Sequence, residues 1–238
     1  MTTFALVHGA WHDAWCWERL APLLRDAGHD VLAPDLPSDD GSADFGAYAD
    51  HVCSALQGRG DDVVVVAHSL AGTTGALVAA RRPLRHLVYL CAAVPDAGKS
   101  LLDQWQAEPD MVHPEFGDGW LQGLTVPDDQ MRTAWVDHEF AGNVFYADCD
   151  EATVAEAVSH LRLQSGYPWT LPCPLTGHPS VPSTYVVCSD DLVVNPVWSR
   201  RTAQHIGAEV VELPGSHSPM LSRPSAVADV LLRVAELS

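Results

Sequence analysis

The run VVVVA at residues 63–67 constrains the fold of this chain more than any other feature of the sequence. Four consecutive valines give a β-strand no polar face, so both of its faces must be covered by other parts of the chain. Strands of this kind are typical of the centre of a parallel sheet that carries helices on both sides. The run therefore predicts an α/β protein with a buried parallel sheet.

Apolar runs and amphipathic segments alternate on both sides of this strand, with short connections between them. Predicted strands lie at residues 4–8, 31–36, 63–67, 86–91, 183–188 and 208–213. Predicted helices in the same regions lie at residues 14–28, 47–56, 71–80, 197–206 and 225–237. This alternation predicts one α/β domain with a mainly parallel sheet and helices on both faces.

The alternation is interrupted at Pro95 by a segment that is richer in loops and aromatic residues. Five prolines near its end, between residues 168 and 182, exclude a helix and predict a linker back to the sheet. We therefore expect a core formed by residues 1–94 and 183–238, with an insert and return linker at residues 95–182.

Two helices are predicted inside the insert, at residues 128–140 and 151–163. Asp150 is the predicted N-cap of the second helix, in which Val154 and Val158 share one face. The insert is also rich in aromatic side chains: Trp105, Phe116, Trp120, Trp135, Phe140, Phe145, Tyr146 and Trp169.

Charge and hydropathy exclude several classes of partner. The chain of 238 residues has a formal net charge of −18 and one lysine, Lys99. Such a surface repels phosphate groups, which argues against a nucleic acid or an anionic membrane as a partner. No apolar run approaches the roughly 20 residues that span a bilayer. The first residues, MTTFALVHGAW, carry no basic region and no small-residue cleavage site, so we expect no secretory signal and a cytoplasmic protein.

The six cysteines and twelve histidines show no metal-binding pattern. No two cysteines form CxxC, and no histidines form HExxH. Most of the cysteines lie in apolar runs, which is typical of buried reduced thiols. We therefore expect neither a metal nor another cofactor, while the oligomeric state, including a homodimer, stays open.

A candidate nucleophile, Ser69, directly follows the central strand in the sequence AHSLA. The pattern of a serine between small residues is weak by itself, but here it lies where a buried strand meets a helix. A tight strand–turn–helix connection needs small neighbours because the backbone of the serine is strained and crowded. The alternative is a serine that only caps the helix.

A serine hydroxyl needs a base to take its proton and a carboxylate to orient that base. His217 follows the strand at residues 208–213 in the loop PGSHSPM. Asp190 and Asp191 follow the strand at residues 183–188. We prefer Asp191 because its D-x-V-V-x-P context places it where the loop turns back toward the next helix, but the alternation of the strand leaves Asp190 open.

Two backbone N–H groups are candidates for an oxyanion hole. Leu70 follows the serine at the N-terminus of a helix, where negative charge is stabilised. Ala10 follows Gly9 in the loop after the first strand, and a glycine there allows the backbone to approach the nucleophile closely. Together these groups would stabilise the negative charge of a tetrahedral intermediate.

Taken together, these segments resemble the α/β-hydrolase superfamily over nearly the whole chain. The matching pieces are FALVHGAWHDAWCWERLAPLLRDAGHDVLAPDLP, VVVVAHSLAG, the D-x-V-V-x-P after TYVVC, and GSHSPMLSRP. The nearest branch contains plant methyl esterases, salicylate-binding esterases, hydroxynitrile lyases and bacterial esterases. The resemblance implies an α/β-hydrolase fold with about six mainly parallel strands and a helical cap at residues 95–182. It also implies a triad of Ser69, His217 and Asp191 and an oxyanion hole of Ala10 and Leu70.

Some residues depart from patterns in that branch. Ala67 and Ala71 replace the two usual glycines around the serine, which makes the turn tighter. Hydroxynitrile lyases of the branch carry a threonine and a lysine where this chain has Gly9 and Ser218. A lysine would stabilise departing cyanide, so its absence argues against lyase chemistry.

The preferred hypothesis is a serine esterase that cleaves a small, mainly apolar or aromatic carboxylic ester through an acyl-enzyme. The aromatic insert predicts the apolar character of the substrate, with Trp11, Trp120 and Trp135 as candidate pocket residues. Ordinary core packing is the alternative role for each tryptophan. Lyase-like chemistry on the same triad, or a non-catalytic small-molecule receptor with this fold, are the alternative functions.

Overall fold

A computed structural model describes residues 1–117 and 119–237 and contains a six-stranded parallel sheet. Its strands are β1 (Thr3–Val7), β2 (Asp30–Leu32), β3 (Val63–His68), β4 (His86–Leu90), β7 (Ser183–Cys188) and β8 (Glu209–Leu213). They lie side by side in the order β2-β1-β3-β4-β7-β8. This arrangement confirms the predicted α/β class and the mainly parallel sheet.

The valine-rich strand β3 lies inside the sheet, where all six of its residues are buried. It pairs with β1 on one side, where Val66 is opposite Leu6, and with β4 on the other, where Val65 is opposite Leu87. Because neither face nor edge of this strand meets water, its apolar sequence is accounted for by its position.

Helices flank the sheet on both faces, as the alternation predicts. The core helices are α1 (Leu20–Asp26), α2 (Phe45–Ala55), α3 (Ala71–Arg81), α8 (Pro196–His205), α9 (Pro219–Ser222) and α10 (Pro224–Glu236). Helix α2 packs against α3, and α1 packs against α10. None of the helices in the described residues is both long enough and apolar enough to span a membrane.

The segment between β4 and β7 adds no strand to the main sheet in the described residues. It contains α4 (Leu101–Ala107), α5 (Pro114–Gly117), β5 (Arg132–Thr133), α6 (His138–Phe145), α7 (Glu151–Ser159) and β6 (Gln164–Ser165). The short strands β5 and β6 pair with each other in an antiparallel direction. The boundaries of the core and the insert stay a prediction.

The structure differs from the sequence prediction at residues 128–140, where one helix was expected. The Asp128 carboxylate instead accepts the backbone N–H groups of Gln130 and Arg132, at 3.0 and 2.9 Å, and Met131 has a left-handed φ of 56°. This local turn competes with helical hydrogen bonding and delays the helix to His138. In α7, by contrast, the Asp150 carboxylate accepts the N–H of Thr153 at 2.8 Å, as the capping pattern predicts.

Candidate active site

Ser69 occupies the turn between the end of β3 and the start of α3, with a left-handed φ of 55°. This conformation is unfavourable for a residue with a side chain, so the surroundings must impose it. Its N–H donates to the Leu90 carbonyl at 3.1 Å, and its own carbonyl accepts the N–H of Gly72 at 3.1 Å and of Ala93 at 3.0 Å. These bonds fix the turn to the neighbouring strand end and present the partly exposed side chain above the sheet.

Gly9 brings the loop after β1 directly against this turn. A Cβ atom at position 9 would lie 2.7 Å from Cβ of Ser69 and 3.2 Å from Nδ1 of His68. Real Cβ atoms do not approach that closely, so the loop can hold its position only with a glycine. The close approach carries the backbone of Ala10 to the side of the serine.

His217 and Asp191 form a buried pair at the ends of two other strands. Nδ1 of His217 lies 3.0 Å from both carboxylate oxygens of Asp191, and the two side chains are at most 2% exposed. The carboxylate also accepts the N–H groups of Val193 and Val194, at 2.8 and 3.1 Å. Because an ionised carboxylate only accepts hydrogen bonds, Nδ1 of His217 carries the proton and Nε2 is left free to accept one.

The other candidate carboxylate, Asp190, faces away from the imidazole. It accepts the hydroxyl of Ser189 at 2.9 Å and the N–H of Gly215 at 3.2 Å, and it is exposed. The structure therefore places Asp191 against His217, whereas Asp190 connects the loop after β7 with the loop that contains Gly215.

His217 lies beside the serine turn but makes no direct hydrogen bond to Ser69 within residues 1–117 and 119–237. Its ring centre is 4.8 Å from that of His68, the residue before the serine. Its Nε2 atom is buried and has no partner among these residues. In free enzymes the contact between base and nucleophile is often loose and tightens when substrate binds.

His68 supports the loop that carries His217. Its Nε2–H donates to the backbone carbonyl of His217 at 2.9 Å. Complete burial lowers the pKa of His68 well below the usual value for histidine, which keeps the ring neutral. His68 thus ties the serine turn to the histidine loop, as a structural residue and not as a second base.

Two further buried histidines orient the loop of Ala10. Nδ1–H of His8 donates to the Gly9 carbonyl at 2.9 Å, while Nε2 of His8 accepts the N–H of Leu36 at 2.9 Å. The Gly9 carbonyl and the Ala10 N–H belong to one planar peptide group, so fixing the first fixes the direction of the second. Burial lowers the pKa of His8, in agreement with this neutral form.

His12 acts on the next peptide of the same loop. Its Nδ1–H donates to the Ala10 carbonyl at 2.7 Å, and its Nε2 accepts the hydroxyl of Tyr146 at 2.8 Å. Burial lowers the pKa of His12 to about 4. The reasoning from sequence missed the roles of His8 and His12, although their spacing around the glycine in HGAWH was a usable signal.

The two candidate oxyanion donors, Ala10 and Leu70, line one cleft together with Ser69. Neither backbone N–H donates to a protein acceptor in the described parts of the chain. Two free N–H groups beside a nucleophile can bind a developing oxyanion.

The cleft above Ser69 has a volume of about 610 Å³, including its open mouth, and its walls are almost entirely apolar. Trp11 and Trp120, both predicted from the sequence, line it. Trp135 lies behind Trp11, with a ring distance of 5.4 Å, and stacks on Phe140 instead of lining the cleft. Further wall residues, which the sequence did not single out, are Leu101, Trp105, Met111, Phe116, Trp169 and Val193.

Comparison with known proteins agrees with this architecture. The sequence profile of the alpha/beta hydrolase family matches residues 4–230. Methylesterase 9 of Arabidopsis thaliana is 26% identical, with 99% of both chains covered. A pyrethroid hydrolase of Sphingobium wenxiniae is 28% identical, covering 99% of this chain and 88% of the relative. The crystal structure of a pyrethroid hydrolase from Sphingobium faniae JZ-2 superposes with a TM-score of 0.81 at 25% identity, covering 99% and 97% of the two chains.

The family match extends over nearly the whole chain, and the solved structure shares its fold along almost its full length. The chain therefore belongs to the alpha/beta hydrolase family.

Proposed function

We propose that this protein is a serine esterase that cleaves small, mainly apolar or aromatic carboxylic esters. The observation that carries the proposal is the buried His217–Asp191 pair beside a strained, partly exposed serine that faces an apolar cleft. The relatives named as a methylesterase and a pyrethroid hydrolase support ester hydrolysis as the reaction.

In the first half of the reaction, Oγ of Ser69 attacks the ester carbonyl while Nε2 of His217 takes its proton. Asp191 holds the imidazole in the form with a proton on Nδ1 and stabilises the imidazolium that results. The N–H groups of Ala10 and Leu70 donate to the oxyanion. The imidazolium then gives its proton to the departing alkoxide, and an acyl-enzyme remains on Ser69.

In the second half, water replaces the alcohol. Nε2 of His217 takes a proton from that water as it attacks the acyl carbonyl, and the same two N–H groups stabilise the second oxyanion. The proton then passes to Oγ of Ser69 as the carboxylic acid leaves. Every step uses side chains and backbone groups of this chain.

The walls of the cleft support a neutral, apolar substrate. No ionisable side chain is among its lining residues in the described parts of the chain, and four tryptophans are. A charged acyl or alcohol group would lose its hydration there without gaining a partner. An aromatic or aliphatic group would instead bury its surface against indole rings.

The test compares wild type with Ser69→Ala in hydrolysis of p-nitrophenyl acetate, with Ser159→Ala, at an exposed serine of α7, as the matched control. We expect Ser69→Ala to lose at least about 10³-fold in kcat, as removal of a triad nucleophile does, and the control to keep wild-type turnover. Unchanged turnover in Ser69→Ala would contradict the proposal. Release of cyanide from mandelonitrile without ester turnover would point to lyase chemistry instead.

A further inference from the structure

The loop at residues 215–217 carries the general base of the proposed function, and contacts from the core hold it on one side. His68 donates to the carbonyl of His217, as described above. Asp190 donates its N–H to the Gly215 carbonyl at 3.0 Å, and its carboxylate accepts the Gly215 N–H at 3.2 Å. These contacts fix the backbone at the two ends of the loop, but among the described residues they give the side chain of Ser216 no anchor in the core.

A carboxylate from the insert supplies that anchor. Asp148 lies in the connection between α6 and α7, and its Oδ1 accepts the hydroxyl of Ser216 at 2.5 Å. Its Oδ2 accepts Nε–H of Arg223 at 3.1 Å, which adds a charge pair to the same carboxylate. Burial would raise the pKa of Asp148, but the hydrogen bonds from Ser216 and the neighbouring donors, together with the charge of Arg223, outweigh it and the pKa is lowered, so the carboxylate is ionised at neutral pH.

The histidine loop is shaped around this carboxylate. Gly215 has a φ of 126°, a conformation that side chains disfavour. A Cβ at that position would lie 2.7 Å from Oδ2 of Asp148 and 2.8 Å from Nε of Arg223. A side chain at position 215 would therefore be strained by the backbone conformation and would displace Asp148 or Arg223 from its observed position.

The same connection touches the site at two other points. The ring of Phe145 lies 5.9 Å from that of His217, and Tyr146 donates to His12 of the oxyanion loop. A displacement of this part of the insert would therefore act on the base and on the oxyanion donors together.

We propose that Asp148 is a positioning residue for His217: its carboxylate, bound to Ser216 and Arg223, sets the path of the loop and thereby aims Nε2 at Ser69. This inference rests on the proposed function. It assigns to the insert a part in catalysis that is separate from contact with the substrate.

The test measures kcat and KM of the full chain with p-nitrophenyl acetate for Asp148→Ala, Ser216→Ala and the double variant. We expect Asp148→Ala to lower kcat by about 10- to 100-fold with KM changed by less than about threefold, because small displacements of a catalytic group act on the chemical step. The loss of kcat in the double variant should be smaller than the product of the losses in the two single variants, because each single variant removes the same hydrogen bond between Ser216 and Asp148. Asp148→Asn, which keeps an acceptor for Ser216, should recover part of the loss.

Asp150→Ser is the matched control, since it removes a carboxylate two residues away and keeps a cap for the N–H of Thr153. Its kcat should equal that of wild type. The downfield proton signal of Nδ1 of His217 gives a second readout that needs no turnover. It should shift in Asp148→Ala and stay in place in Asp150→Ser.

Wild-type kcat in a folded Asp148→Ala variant, or a loss confined to KM, would overturn the inference. If Asp148→Ala does not fold, Ser216→Ala decides, and wild-type kcat in that variant overturns it as well. Failure of the proposed function has a different signature, because wild type itself would then lack turnover that depends on Ser69.

Discussion

At the scale of single residues, the close approach of Gly9 to Ser69 leaves no room for a side chain at position 9. Gly9→Ala would place a methyl group 2.7 Å from Cβ of Ser69, so one of the two backbones must move. We expect kcat to fall by about 100-fold, as displacement of catalytic groups by 1 Å does, and the free energy of unfolding to fall by about 1–3 kcal/mol from overpacking. Ester hydrolysis and urea unfolding of the variant measure the two effects.

Gly60→Ala is the control for that substitution, because a Cβ there meets no atom within 4 Å and the backbone is not left-handed. It should keep wild-type turnover and stability. Equal kcat in Gly9→Ala and Gly60→Ala would show that the loop of Ala10 does not depend on its distance from the serine.

The sequence predicted which types of residue meet at this site. It predicted less well which atoms of these residues make the contacts. Asp190 and Asp191 are adjacent and both follow β7, so the alternation of side chains along the strand could not decide between them. Only the path of the loop brings Asp191 to His217. The roles of His8 and His12 depend on carbonyl groups of Gly9 and Ala10, and backbone directions of that kind leave no direct trace in a sequence.

At the scale of elements, the insert contains residues that line the cleft and residues that pack behind them. Trp120 lines the cleft and stacks on Phe116 at 5.7 Å, whereas Trp135 is 5% exposed and packs between Trp11 and Phe140. We expect Trp120→Leu to raise KM for an aryl ester by about 10-fold, because an aromatic contact with the substrate is lost, with little effect on thermal stability.

Trp135→Leu should have the opposite profile. Loss of a buried indole costs about 2–4 kcal/mol of stability, while KM should change little. Steady-state kinetics and urea unfolding of both variants test the distinction. A rise of KM in Trp135→Leu that equals the rise in Trp120→Leu would contradict the assignment.

The core elements could be predicted from the sequence, whereas the insert could be predicted only in part. Buried parallel strands such as β3 are continuous apolar runs, and the glycines and charged residues of GRGDD mark where that strand begins. The insert is built from short helices and turns, and local side-chain hydrogen bonds, such as those of Asp128, determine where these helices begin. The wall residues Trp105, Phe116 and Trp169 come from separate elements, so no periodicity in the chain indicates that they converge.

At the scale of the whole molecule, buried neutral histidines, among them His8, His12 and His68, make the stability depend on pH. His12 has a pKa of about 4 in the folded protein, because of burial, against 6.5 in the unfolded chain, and the pKa values of His8 and His68 are also lowered by burial. At pH values between the folded-state and unfolded-state pKa of such a histidine, the unfolded chain binds more protons than the folded protein. The free energy of unfolding therefore falls as the pH decreases. His12 alone should reduce the free energy of unfolding by about 2 kcal/mol between pH 7 and pH 5.

Urea unfolding at pH 8, 7 and 5 measures this effect. Stability should change little from pH 8 to pH 7, where these histidines are neutral in the folded protein and mostly neutral in the unfolded chain, and should fall at pH 5. In His12→Gln the fall from pH 7 to pH 5 should be smaller than in wild type. Equal stability of wild type at pH 7 and pH 5 would mean that the buried rings are not neutral.

In the proposed reaction Ser69, His217 and Asp191 act as one unit, and covalent labelling of the serine is the sharpest test of this unit. An aryl phosphonate directed at activated serines should add one phosphonyl group per chain, and mass spectrometry of peptides should locate it on Ser69. His217→Ala should slow the labelling by at least about 10³-fold, since a serine without its base is a poor nucleophile. Labelling of another residue, or equal labelling rates in wild type and His217→Ala, would show that Ser69 is not activated by His217.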